Sequence, residues 1–137
     1  MTPARPRATL PDLPRPRQTS TVRQFLRAKI HKATVTDADL AYIGSVTLDP
    51  DLMERVGLEQ YEKVLIVDNT NGARLETYAL TGERGSGEVC INGAAAHLVS
   101  RGDEVIIMAF EYADAPGKPR QILVDENNRF VREIDHE

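Results

Sequence analysis

The apolar segments of this chain are short and closely punctuated by glycine and polar turn residues, which leaves no room for long helices. Residues 64–67 form a brief continuous apolar run, as in a buried strand. Residues 74–80 alternate, with Leu75, Thr77 and Ala79 on one face and Arg74, Glu76, Tyr78 and Leu80 on the other. Between them, Asn69-Thr70-Asn71-Gly72 supplies a turn whose Asn-Gly pair accepts positive φ. Residues 24–35, 45–48, 88–91 and 104–110 read as further strands, and 121–124 as one more near the end. Asp49-Pro50-Asp51 opens a brief helix: Asp49 can accept first-turn amide hydrogens, Pro50 sits where no donor is missed, and Asp51 suits the positive helix end. Gly57 can take the left-handed conformation that ends it, and residues 92–97 have room for only one or two helical turns. Short strands with a few short helices and no internal repeat predict a mainly β domain, a barrel rather than a parallel α/β sheet.

At 137 residues the chain is one domain, and no apolar run approaches the roughly 18 residues of a membrane span. Its formal charge of −4 is uneven. Residues 1–24 hold five arginines and one aspartate, about +4, while the remainder has 12 basic and 20 acidic residues, −8. A body of that sign repels phosphate backbones, so a nucleic-acid partner is not expected. With five prolines by position 16 and few large apolar groups, residues 1–21 are expected to be a disordered extension. Cys90 is the only cysteine, cannot form an internal disulfide, fits a reducing cytoplasm, and in VCIN is expected to fill a core position. His97 and His136 show no metal-ligand spacing with each other or with Cys90, so no metal is expected.

Gly44-Ser45 ends the segment RAKIHKATVTDADLAYIGS and is followed by VTLDPDLMERVG, NTNGARLETYAL, GERGSG and INGAAAHL. Alone, the pair is a common turn dipeptide. In this setting the motifs, covering residues 22–112 in order, resemble the aspartate 1-decarboxylase family, pyruvoyl enzymes that make β-alanine for pantothenate and coenzyme A synthesis. The resemblance implies a double-psi β-barrel assembled as a homotetramer, and a Gly-Ser bond that cuts itself. Residues 113–137 form a tail outside the resemblance, with no chemical task assigned.

Decarboxylating an α-amino acid leaves electrons on the α-carbon, and a carbonyl joined to the substrate amine as a Schiff base can accept them. The chain shows no pyridoxal site, and a carbonyl made from its own backbone meets the need. The Ser45 hydroxyl would attack the Gly44 carbonyl, converting amide to ester; elimination and hydrolysis would then leave a pyruvoyl group at position 45, on a chain of residues 45–137, with residues 1–44 as the other product. Glycine at 44 allows the bent backbone that this attack requires.

The resemblance places Thr77 and the amides around Ala95 at the Gly44 oxygen, where negative charge develops, and brings Gly93, Ala94 and Ala95 against the substrate. Their small side chains permit close approach to the main chain. Tyr78 is the expected proton donor to the α-carbon, since a phenol near its reference pKa of ~10 is protonated at neutral pH. Arg74 can grip the side-chain carboxylate of L-aspartate with two parallel hydrogen bonds, and Lys29 adds a second cation. Tyr42 and His31 are expected to assist maturation. A serine-hydrolase reading of His31 and Ser45 lacks the G-x-S-x-G elbow, and GERGSG lacks the Gly-Lys-Ser/Thr ending of a phosphate loop, so its glycines are expected to shape a turn, with Glu83 and Arg84 unassigned. Some family members have histidine where this chain has Ala41. The rival reading is an uncleaved barrel that binds a small anion or a partner.

Overall fold

A computed structural model of the protein describes residues 3–4 and 21–135. The expected disorder of residues 1–21 falls almost wholly outside these, as does His136. The described chain is mainly β: β1 (Arg23–Thr34), β2 (Asp37–Asp39), β3 (Ser45–Leu48), the helix α1 (Pro50–Val56), β4 (Lys63–Asp68), β5 (Arg74–Thr81), β6 (Val89–Asn92), a 3-10 turn (Gly93–His97), β7 (Glu104–Ala113), β8 (Arg120–Val124) and β9 (Phe130–Glu133). The strands order as β2-β6-β3-β5-β4-β7-β1-β8-β9. Three of the pairings are parallel: β1 with β8, β2 with β6 and β3 with β5. The ladder does not close continuously. Beyond β1 the chain instead reaches back to β6, where Thr36 N–H donates to Val89 O at 2.9 Å and Val89 N–H donates to Thr36 Oγ1 at 3.0 Å. This wrapping around one core agrees with a double-psi β-barrel.

Period-two alternation supplies that core. Val46 and Leu48 of β3, Val64 and Ile66 of β4, Leu75 and Ala79 of β5, and Val105 and Ile107 of β7 all point inward and are buried. Each valine, leucine or isoleucine among them contributes roughly 1.5–3 kcal/mol by leaving water. The imperfect alternation of the first strand has a local cause. Its pairing with β7 shifts between Ile30 and Ala33, and Lys32 within that shift has φ 65°, so Ile30 and Ala33 both reach the core. β2 and β9 are additional to the strands read from sequence; each runs only three or four residues. β8 lies parallel to β1, which makes the C-terminal segment part of the same sheet.

The helix forms as its residues dictate. Asp49 Oδ1 accepts from Asp51 N–H at 2.8 Å, Pro50 occupies the first turn, and Gly57 ends it at φ 75°. Leu52, Met53 and Val56 carry its buried face. Asp49 does more than cap. Its Oδ1 also accepts from Gly85 N–H at 3.0 Å and its Oδ2 from Gly87 N–H at 2.8 Å. Across the outer surface Arg84 bonds Asp51 at 2.6 Å and Glu54 at 2.5 Å. The GERGSG stretch is therefore a turn, with φ 78° at Gly85 and 70° at Gly87, fastened to the helix that follows β3.

Burial works to raise the Asp49 carboxyl, but the amides of Gly87, Asp51 and Gly85 outweigh it and hold the group below its ordinary value of 3.8. Asp49 thus contributes stability that is fully present above the unfolded value and is lost as pH falls through the lowered folded one. Asp49→Ala should cost at least about 2 kcal/mol, a lost cap plus charged hydrogen bonds. Denaturant unfolding of parent and variant should show that difference at neutral pH, shrinking as the medium approaches pH ~2.

Candidate active site

Ser45 opens β3 between two partners. On one side it stands opposite Asn92 of antiparallel β6; on the other, parallel β5 pairs Ala79 with Val46. Running that parallel register back one residue sets Tyr78 beside Ser45 and Thr77 beside Gly44. The burial changes abruptly at the expected cleavage bond. Tyr42, Ile43 and Gly44 are exposed, whereas Ser45 is 0% exposed. The Gly44-Ser45 peptide is where an outer loop enters a buried strand.

Asn92 organises the hydroxyls there. Its Nδ2 donates to Ser45 Oγ at 3.0 Å and to Thr47 Oγ1 at 3.0 Å, which share a face of β3 two residues apart. Ser45 Oγ–H reaches toward Ile43 O at 3.4 Å, a long contact for a hydroxyl donor. Asn92 is itself buried, so leaving its amide unmatched would be costly. Next to it, Gly93 has φ 68°, and a Cβ at that position would lie 2.5 Å from Gly44 Cα and 2.6 Å from Gly44 N. Only glycine permits this approach. Ala94 is exposed, and Ala95 is half-buried against the core.

Other residues singled out by sequence are distributed differently. Thr77 and Tyr78 are half-buried, and the Tyr78 ring lies 6.5 Å from that of Tyr61 at a 49° tilt. Arg74 is exposed at the start of the same strand, four residues from Tyr78, about 13 Å along an extended chain. Lys29 and His31 lie on β1, separated from β3 by β5, β4 and β7 in the sheet order. Among the described residues no hydrogen bond joins Lys29, His31 or Arg74 to Ser45. His31 is pushed below its ordinary value by burial, then by Lys29 and Lys32, with Glu104 opposing, which keeps the imidazole neutral at neutral pH. Tyr42 is exposed, with its carbonyl near Gly93.

Two features depart from the sequence reading. Asn92 was not among the expected site residues, although its place before Gly93 on a strand was a usable signal. Cys90 is not a core filler: it is half-buried, and its Sγ–H donates to Asn92 Oδ1 at 3.2 Å. Burial first, then the carboxylates of Asp37, Glu88 and Asp39, push its thiol up from the ordinary value of 9.0. Among the described residues no cluster of three or more histidine, cysteine or acidic side chains is placed to hold a metal, and no helix is long and apolar enough to cross a membrane.

Fold and site together define a small β-barrel protein built around a buried serine at an exposed glycine junction. The aspartate decarboxylase family model matches residues 21–131. Aspartate 1-decarboxylase of Corynebacterium efficiens is 54% identical over 114 residues, covering 80% of this chain and 84% of the relative. Those of Neisseria meningitidis and Bacillus cereus are 51% and 50% identical over 119 residues, each covering 84% of this chain and 94% of the relative. The chain belongs to the aspartate decarboxylase family.

The contact at Gly93 yields a direct expectation. Gly93→Ala combines an unfavourable left-handed backbone with a collision against Gly44, so it should destabilise the fold by about 1–3 kcal/mol. Gly72→Ala is a control, since its φ of 79° is similar but nothing lies within 4 Å of the added Cβ. Thermal and denaturant unfolding should place Gly93→Ala clearly below the control.

Proposed function

We propose that this protein is a self-processing decarboxylase that converts L-aspartate to β-alanine and carbon dioxide, in pantothenate synthesis, with a pyruvoyl group derived from Ser45. Family membership supports the reaction, and one observation carries the site: a wholly buried Ser45 hydroxyl, held by Asn92, at the bond to an exposed Gly44. The serine fits as precursor, because the Gly93 cradle leaves room for the Gly44 main chain that a Cβ would occupy.

In maturation, Ser45 Oγ forms a bond to the Gly44 carbonyl carbon while the C–N bond breaks and the nitrogen takes the proton, giving an ester. Loss of the Ser45 α-proton then expels the Gly44 carboxylate and leaves dehydroalanine; water replaces the nitrogen, which departs as ammonia. Asn92 orients the nucleophile, and Thr77, two residues before the Ala79 that pairs with Val46, donates to the carbonyl oxygen as it gains charge. Tyr42 and His31 assist from the flanking loop and from β1.

The pyruvoyl carbonyl, once formed, supplies the electron sink for the α-carbon. The protein's residues do the rest. Tyr78, beside position 45, holds the proton delivered to the α-carbon, and Tyr61 packs against its ring. Arg74 and Lys29 pair with the substrate side-chain carboxylate, and neither is engaged in an ion pair among the described residues. Gly93, Ala94 and Ala95 allow the substrate against the main chain. Arg74, about 13 Å along β5 from Tyr78, and Lys29 on β1 suit a pocket completed by neighbouring copies in a homotetramer. A lone cysteine, with no second one for an internal disulfide, suits a cytoplasmic setting.

Tyr78→Phe should still mature but lose turnover by about 10²–10⁴-fold, as removal of a general acid usually does; an aspartate assay at the parent rate would assign the proton to another group. Arg74→Leu should mature and assemble, yet lose catalytic efficiency toward aspartate by at least about 2–3 kcal/mol. A neutral amine that traps the carbonyl should be affected far less. Equal losses for both ligands would show that Arg74 shapes the pocket without reading the carboxylate.

A further inference from the structure

Asn92 can serve Ser45 only in one of its two amide orientations. With Nδ2 toward β3, the amide donates to both Ser45 Oγ and Thr47 Oγ1. Rotated by a half-turn, it would present a carbonyl oxygen to the same hydroxyls, which can themselves donate, so they select no orientation. The selecting contact comes from behind. Cys90 Sγ–H, two residues earlier on β6 and on the same face, points at Asn92 Oδ1 from 3.2 Å. A thiol donates weakly but accepts more weakly still, so it favours the carbonyl end of the amide.

From this relay we infer that Cys90 is a positioning residue for chain cleavage, fixing the Asn92 amide so that its N–H groups face the Ser45 nucleophile. The inference rests on the self-cleavage reading above. An N–H aimed at Oγ holds the attacking lone pairs and stabilises the charge that gathers on oxygen as its proton leaves. Cys90 never touches the reacting atoms; it acts through Asn92.

The surroundings keep the donor in place. The charged groups facing the thiol are all acidic: Asp37 and Asp39 on paired β2, and Glu88 just before β6. The four residues of β3 on its other side carry no charge. Burial and these carboxylates disfavour the thiolate, so the S–H persists through neutral pH.

The test separates hydrogen bonding from packing. Full-length chain is newly synthesised as parent, Cys90→Ser and Cys90→Val, and its conversion to two chains is followed by intact mass. Serine is smaller than cysteine but keeps a donor; valine fills the volume without one. Cys90→Ser keeps a donor but its hydroxyl can also accept, so it should cleave within about twofold of the parent rate, and Cys90→Val about three- to tenfold slower, the range of one neutral hydrogen bond. The reverse order, with valine like the parent and serine slow, would mean that Cys90 only packs. Equal rates in all three, or equal slowing of both variants, would also overturn the role. A parent chain that stays whole would sink the self-cleavage reading and this inference with it, whereas a cleaving parent matched by Cys90→Val sinks the inference alone.

Discussion

β3 is four residues long, yet it is paired on both edges, parallel to β5 and antiparallel to β6. A strand so short has little stability of its own; its place is set by Val46 and Leu48 in the core and by those two ladders. Ser45 is its first residue, opposite Asn92 in the antiparallel pair and one residue before the Val46 that pairs with Ala79 in the parallel one. The chemistry proposed for position 45 would take its geometry from this double pairing. Gly44 stands outside the ladder, where the main chain can still bend.

The elements around β3 hold it at both ends. Downstream, Asp49 caps α1 and ties the Gly85–Gly87 turn to it by backbone donors, while Arg84 bridges the same turn to Asp51 and Glu54. The exposed ion pairs contribute little individually, so the buried carboxylate bears most of the stability. Upstream, Gly93 lets the 3-10 turn close on Gly44 without a side chain between them. The Gly44-Ser45 bond thus has a doubly paired strand on one side and an exposed loop on the other, an arrangement that suits the proposed attack of Ser45 on this bond.

Much of this was legible in the sequence for identifiable reasons. Alternation at residues 74–80 marked β5 and its inward face, and Asp49, Pro50 and Gly57 marked the helix with both ends. The irregular alternation of β1 was visible, but its cause, Lys32 in the left-handed region, is unusual for lysine and carries no local signal. β2 and β9 are held by their partners rather than by their own propensities, so a reading of local pattern passes over them. Ser45, Gly44, Thr77 and Tyr78 came from recognised motifs, and they directly precede the paired residues Val46 and Ala79 on neighbouring strands. Asn92 and Cys90 were harder, since their importance lies in a side-chain relay across two strands. Lys29 and Arg74 came from the same motifs, the first on β1 and the second at the start of β5.

The central claim is that the Gly44-Ser45 bond breaks by the attack of Ser45 itself. Intact-mass analysis of purified parent and Ser45→Ala protein tests it directly. The account predicts two chains for the parent, residues 1–44 and a larger chain from position 45 that resists N-terminal sequencing, and one unbroken chain for Ser45→Ala. A parent protein that remains whole, or a Ser45→Ala protein that still divides at this bond, would contradict it.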